Sequence, residues 1–237
     1  MLNFDDFEVL TFDCYGTLID WETGIWQALS PIFANHHVTL GREPALEQYA
    51  ALEAAIERGP YLEYKQVLRR VLVRLGHRLM FTPNAAELAG FVQSVGDWPA
   101  FDDSAAALRA LQRKYKLAIL SNIDDDLFAL SAPKLGVTFD FIITAQQARS
   151  YKPSLNNFHT AFKRIGLPPA KILHVAQSLF HDHVPAKALG MSTVWVNRRH
   201  GQAGSGATPP VAAQAAAATP DLEVPDLQTL AKTIGLT

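Results

Sequence analysis

Six positions in this chain carry side chains that could act together on a small molecule: Asp13, Thr17, Ser121, Asn122, Lys152 and Asp182. Asp13 closes the apolar run Phe7 to Phe12, and Gly16 and Thr17 follow it closely. Ser121-Asn122 ends the run Leu117 to Leu120, Lys152 comes after Phe139 to Thr144, and Asp182 comes after Ile172 to Ala176. A carboxylate, a hydroxyl with an amide, an ammonium and a second carboxylate, if brought together, make a reaction centre for a small molecule. Taken singly, each residue has a plainer reading. Asp is a common turn residue, Thr17 and Ser121 can bond their own loops, Lys152 can be solvated surface, and Asp182 can cap the helix after it.

The elements that would position these groups follow from hydrophobic periodicity. Residues 7–12, 117–120, 139–144, 172–176 and 192–196 read as strands. Helical patterns cover 103–116, 131–135, 156–165, 186–189 and a closing stretch at 227–234. Strands alternating with helices imply a parallel, doubly wound, Rossmann-like sheet. Ligands bind such sheets just beyond the carboxyl ends of the strands, so all four polar clusters should gather on one rim. Residues 15–97 read differently. Trp21, Ile25, Trp26, Leu29, Ile32 and Phe33 recur at helical spacing, and further helices read over 45–58, 62–75 and 82–95, with no strand between. That is too long for a crossover. It is expected to be an all-helical cap domain (15–97) inserted into a core made of 1–14 and 98–237. Residues 201–220, rich in Gly, Ala, Pro and Thr, read as a flexible excursion or a short helix.

Composition narrows the class. A hydrophobic content of 49% suits one substantial domain or a domain with an insertion. A net charge of −2 without a Lys/Arg stripe argues against nucleic acid as a partner. No run approaches the ~18 apolar residues of a membrane span. Cys14 is the single cysteine, so no internal disulfide can form, and an acidic N-terminus lacks a signal pattern. A cytoplasmic location is the expectation. The His36-His37 pair has no Cys or carboxylate at ligand spacing and reads as a loop or cap feature.

Asp-Cys-Tyr-Gly-Thr-Leu (13–18), Leu-Ser-Asn (120–122), Tyr-Lys-Pro (151–153) and Ala-Gln-Ser-Leu-Phe-His-Asp (176–182) resemble, in order, the four motifs of the haloacid dehalogenase superfamily. The resemblance spans essentially the whole chain and is nearest to the (S)-2-haloacid dehalogenase type. It implies that Asp13 forms an ester with the substrate carbon and that Thr17 and Lys152 hold its carboxylate. Asp182 would position water, Ser121 would bond the substrate carboxylate, and Asn122 would face the departing halide. Tyr15, Gln177 and Ser178 would complete the substrate contacts. Phosphatases of the superfamily resemble Asp-x-Asp-Gly-Thr, whose second Asp protonates a leaving alkoxide. Tyr15 stands there, and a halide leaves without a proton. The implied substrate is a short 2-haloacid, with no cofactor, and the resemblance leaves a homodimer open. Magnesium-dependent members resemble Gly-Asp-Ser where this chain has Ala176-Gln177-Ser178. A hard cation loses one acidic ligand there, so catalysis without a metal is expected.

Some positions depart from that pattern. A substrate-binding arginine is missing near Tyr49-Ala50, with only Arg42 and Arg58 flanking. Phe158 replaces a tyrosine, and Gln177 and Leu179 replace a serine and an asparagine. The expected substrate therefore differs from a simple 2-chloropropionate. A small-metabolite phosphatase and an altered member that only binds a small carboxylate are the alternatives. Trp21 and Trp26 could wall the pocket or pack the cap. His181 and His183 could relay protons, and Cys14 reads as core.

Overall fold

A computed structural model describes residues 2–201, 205–207 and 219–236. Strands β1 (Val9–Phe12), β2 (Lys116–Ser121), β3 (Phe141–Thr144), β4 (Ile172–Ala176), β5 (Ser192–Val196) and β6 (Leu222–Val224) form one sheet in the order β3-β2-β1-β4-β5-β6. Every pairing is parallel, and Phe12 sits in register with Ile119 on one side and Val175 on the other. The chain builds outward from β1 to β3, then returns to β1 and builds outward again. β1 therefore lies at the point where winding reverses, where open α/β sheets bind ligands. The three-residue β6 was not foreseen from the sequence. Most of 201–220, including the Ala-rich run, lies outside the described residues.

Of the five α-helices between β1 and β2, the first four form the cap: α1 (Trp21–Asn35), α2 (Arg42–Glu57), α3 (Tyr64–Leu79) and α4 (Ala85–Gln93). Local chemistry sets their ends. Asp20 accepts from the Thr23 N–H at 3.1 Å at the start of α1, and Asn84 and Glu87 form a reciprocal capping box at the start of α4. His36, at the end of α1, bonds Glu87 at 2.9 Å and stacks on Phe81, which accounts for half of the histidine pair. The core helices are α5 (Ser104–Gln112), α6 (Asp125–Ser131), α7 (Ala145–Ala148), α8 (Leu155–Ile165), α9 (Val184–Ala188) and α10 (Leu227–Thr233). α5 stops short of the expected 116 because Lys116 already pairs in β2.

Strand alternation divides the apolar residues between the two faces of the sheet. Leu10, Phe12, Ile119 and Val175 join one large cluster that runs without a break into the cap through Leu46, Tyr49, Leu68 and Leu72. Val9, Ala118, Leu120 and Ile172 pack on the other face against Phe158, Ala161 and Ile165 of α8. The joint between cap and core is tight. A Cβ on Gly24 of α1 would lie 2.2 Å from Cγ of the buried Trp98. A polar tie supplements it: the buried Asp124 carboxylate accepts from the first N–H groups of α3, Tyr64 at 2.9 Å and Lys65 at 3.0 Å. Those N–H groups have no partner within their helix, and the positive end of the helix favours an anion.

Candidate active site

β1 hands Asp13 to a loop that folds back on itself. The N–H groups of Leu18 and Ile19 both reach the Cys14 carbonyl, at 2.7 and 2.9 Å. Gly16 turns the chain with φ +95°, and a Cβ there would come 3.1 Å from Trp21 Nε1; both favour glycine. The turn returns Thr17 to Asp13. Thr17 Oγ1 accepts from the Gln177 N–H at 3.0 Å, so its one proton goes to Asp13 Oδ2 at 2.9 Å. The other oxygen, Oδ1, accepts from Lys152 Nζ at 2.8 Å. Lys152 also donates to Asp182 Oδ1 at 2.6 Å and to the Leu120 carbonyl at 2.9 Å. An ammonium has three N–H donors, and all are used.

The electrostatics follow from burial. Asp13 and Lys152 are 6% and 2% exposed, so a lone charge on either would be costly. Burial pushes the Asp13 carboxyl above its ordinary value and Asp182 adds to the rise, while Lys152 and Thr17 oppose it. Burial pulls against the Lys152 ammonium, but Asp13 and Asp182 prevail and hold its pKa above the ordinary lysine value. Asp182 is held well below the carboxylate range: burial opposes this, and Lys152 and His174 outweigh burial. His174 bonds Asp182 Oδ1 at 2.9 Å through Nε2 and Thr11 Oγ1 at 2.9 Å through Nδ1. Asp182 Oδ2 is buried without a partner among the described residues.

The remaining expected residues fall into three groups. Ser121, Tyr15, Ser178 and Gln177 line the same pocket as Asp13, Lys152 and Asp182. The Tyr15 hydroxyl pairs with Ser131 Oγ at 2.9 Å, and burial holds its pKa well above the ordinary phenol. Asn122 lines the pocket too, but its side chain grips the Lys152 backbone at both ends, accepting from the N–H at 2.7 Å and donating to the carbonyl at 3.2 Å. Its amide thus sets the position of the lysine. Asp182 is no helix cap: it lies within a π-helical turn (Leu179–His183) that Ser178 caps through the His181 N–H. Trp21 and His181 reach the pocket. Trp26 packs on the core, and His183 bonds the Ala176 carbonyl at 3.0 Å. Burial pushes the Cys14 thiol up, so it remains a neutral core group. Phe158 packs edge-on against His174, below the site.

The cap wall was not legible. Glu53, Glu57 and Tyr64 close the pocket opposite Asp13. Glu53 Oε1 accepts from the Tyr49 hydroxyl at 2.7 Å and the Tyr64 hydroxyl at 2.6 Å. Tyr49, Glu53 and Glu57 recur every four residues along α2, which is one helix face. That spacing was the available signal. Neither flanking arginine lines this pocket: Arg42 bonds Thr23 at 3.1 Å, and Arg58 faces an adjoining cavity. Among the described residues, no group of three or more His, Cys, Asp or Glu side chains is placed to hold a metal ion. Lys152 already bridges the two carboxylates that a cation would share, so the site does not fit a divalent ion.

A family model described as haloacid dehalogenase-like hydrolase matches residues 7–188. The (S)-2-haloacid dehalogenase of Xanthobacter autotrophicus is 29% identical over 195 residues, covering 81% of this chain and 75% of the relative. Haloacetate dehalogenase H-2 of a Moraxella species is 28% identical over 196 residues, covering 81% and 86%. The solved structure of L-2-haloacid dehalogenase from Xanthobacter autotrophicus with chloropropionic acid covalently bound superposes with a TM-score of 0.77 at 23% identity, covering 97% of this chain and 98% of that one.

Proposed function

The chain belongs to the haloacid dehalogenase-like hydrolases, and on that premise we propose that it hydrolyses the carbon–halogen bond of short 2-haloacids through an ester on Asp13. One observation carries the choice of leaving group. The position that holds an acid for a departing alkoxide is Tyr15, whose hydroxyl is tied to Ser131 and whose proton is held tightly. A halide departs as a stable anion and needs no such proton.

In the first step a carboxylate oxygen of Asp13 attacks the carbon bearing the halogen. A C–O bond forms, the C–halogen bond breaks, and the halide takes the bonding pair. Thr17 and Lys152 hold both Asp13 oxygens fixed beforehand, so little reorganisation remains. In the second step water attacks the acyl carbon of Asp13. Lys152 faces the oxygen that gains negative charge, and the free Asp182 Oδ2 accepts a hydrogen bond from the incoming water. The products are a 2-hydroxyacid, a halide and a proton. Names of relatives support the substrate: two curated relatives are called (S)-2-haloacid and haloacetate dehalogenases.

Single turnover in heavy-oxygen water tests the route. Label should enter Asp13 before it appears in the solvent-exchanged product pool, and Asp13→Asn should release no halide while remaining folded. Label found only in product on the first turnover rules out the covalent route. Free halide from chloroacetate, measured beside phosphate from an aryl phosphate, tests the reaction class; phosphate release alone would refute it.

A further inference from the structure

The pocket receives a carboxylate under the reading above, yet among the described residues that line it none offers that carboxylate a free cation. The three N–H donors of Lys152 are committed to Asp13, Asp182 and the Leu120 carbonyl. Arg42 and Arg58 lie outside it. The wall facing Asp13 carries two more carboxyl groups instead, Glu53 and Glu57. With both ionised beside Asp13 and Asp182, an incoming anion would meet four negative groups and one neutralised ammonium. We propose that Glu53 and Glu57 bind the substrate carboxylate as neutral carboxylic acids, so that a proton enters the pocket with the anion.

Geometry assigns the proton. Glu53 Oε1 already accepts from two tyrosine hydroxyls, so the acid proton belongs on Oε2. Glu57 has no hydrogen-bond or ion-pair partner among the described residues and is free to donate. A carboxylic acid bonded to a carboxylate is a charge-assisted hydrogen bond, roughly twice as strong as a neutral one. The groups facing the pair come from every neighbouring element. Tyr49 lies on α2, Tyr64 on α3, and Tyr151 and Lys152 precede α8. Asp13 follows β1, His181 and Asp182 lie in the π-helical turn, and Arg58 shares the adjoining cavity with Glu57. Burial holds the Tyr49 and Tyr64 phenols protonated and pushes His181 down to about 4, so none of them adds charge near neutrality. Burial lifts Glu53 to about 7 against the two tyrosine bonds. Glu57 is half-buried; burial and the Glu53 charge raise it against Lys152, and the part due to Glu53 falls away once Glu53 holds its proton.

The inference rests on the dehalogenase reading for the substrate's carboxylate, but its test does not require turnover. Acetate, which carries no halogen, is titrated calorimetrically into the full chain at pH 8 in two buffers of different ionisation enthalpy. About one proton should be taken up per acetate bound, and the Kd should rise about tenfold per pH unit above pH ~7 and level off below it. Glu53→Gln, which keeps a neutral donor, should bind acetate at pH 8 about as the natural chain does at pH 6 and take up less proton. If turnover occurs, KM for chloroacetate should follow the same rise while kcat stays level, and KM for the neutral chloroacetamide should not move. Acetate binding without proton uptake at pH 8, no saturable acetate binding at pH 6, or a preference for chloroacetamide at every pH would overturn the proposal. Proton-linked acetate binding with no halide release would uphold it and refute only the dehalogenase reading.

Discussion

Replacing Lys152 with Met removes the ammonium that Asp13 and Asp182 share. The methionine keeps the stem and fills most of the same volume, so the change is mainly electrostatic. The ammonium sits 2.8 Å from Asp13 Oδ1 and 2.6 Å from Asp182 Oδ1. Without it two buried carboxylates remain within about 5 Å of each other. At an effective dielectric of about 20 that pair repels by roughly 3 kcal/mol, in line with the 3–5 kcal/mol seen when one partner of a buried ion pair is removed. The pH dependence has a defined sign. Asp182 is held well below the free value of 3.8, so its contribution is full above that value and is lost progressively as pH falls below it toward the depressed folded value. Lys152 is held above 10.5, so its contribution is present below that value and lost only as pH rises further. The Lys152→Met deficit should therefore be about 3–5 kcal/mol at pH 7.5 and shrink as pH falls, because Asp13, already raised with Lys152 beside it, rises further without it and takes a proton well above 3.8. Urea unfolding by circular dichroism at pH 7.5 and pH 4 measures it. Adding Asp182→Asn to Lys152→Met should recover a large part of the loss, since the two sites couple directly. A loss under about 1 kcal/mol at pH 7.5, or one that does not change with pH, would show that the cluster is not held together by charge.

Gly24→Ala would push a methyl against Trp98 at 2.2 Å and should destabilise by about 2–3 kcal/mol, lowering the melting temperature by roughly 5–10 °C; an unchanged melting curve would show that the cap joint can shift. Halide release should survive exhaustive EDTA treatment and should not rise on adding magnesium, since Lys152 occupies the place between the carboxylates; a magnesium requirement measured by halide electrode would refute this. The acid limb of kcat/KM, which reports the free enzyme, should lie above 3.8, because the proposed nucleophile Asp13 must be ionised to attack and its pKa is raised; full kcat/KM at pH 4 in folded protein would contradict it.

The strand ends were readable because apolar runs bounded by turn residues have few other uses, and strand ends are where such sheets carry their chemistry. That reasoning places Asp13, Ser121 and Lys152 without knowing their contacts. It fails where a side chain's environment comes from distant sequence. Glu53 looks like any acidic residue on a soluble helix, and only Tyr64 from the next helix reveals it as buried. His174 is hidden in a strand whose other residues are apolar, so its bond to Asp182 has no local signature. Asn122 was legible as a site residue but not as the clamp on Lys152, since that depends on two loops meeting. β6 is too short to show a period.

The stretch leaving β2 serves two masters. Ser121 lines the pocket and Asn122 fixes Lys152, while Asp124, two residues on, holds the first turn of a cap helix. Cap and core are therefore not freely interchangeable parts. A cap grafted from a relative would lose its anchorage unless its third helix began with two open N–H groups at the same spot. An ill-fitting graft would pull on the backbone that carries Ser121 and Asn122. New substrate ranges in this scaffold should arise more readily by altering residues on the wall of α2, which can change one at a time, than by exchanging the cap whole.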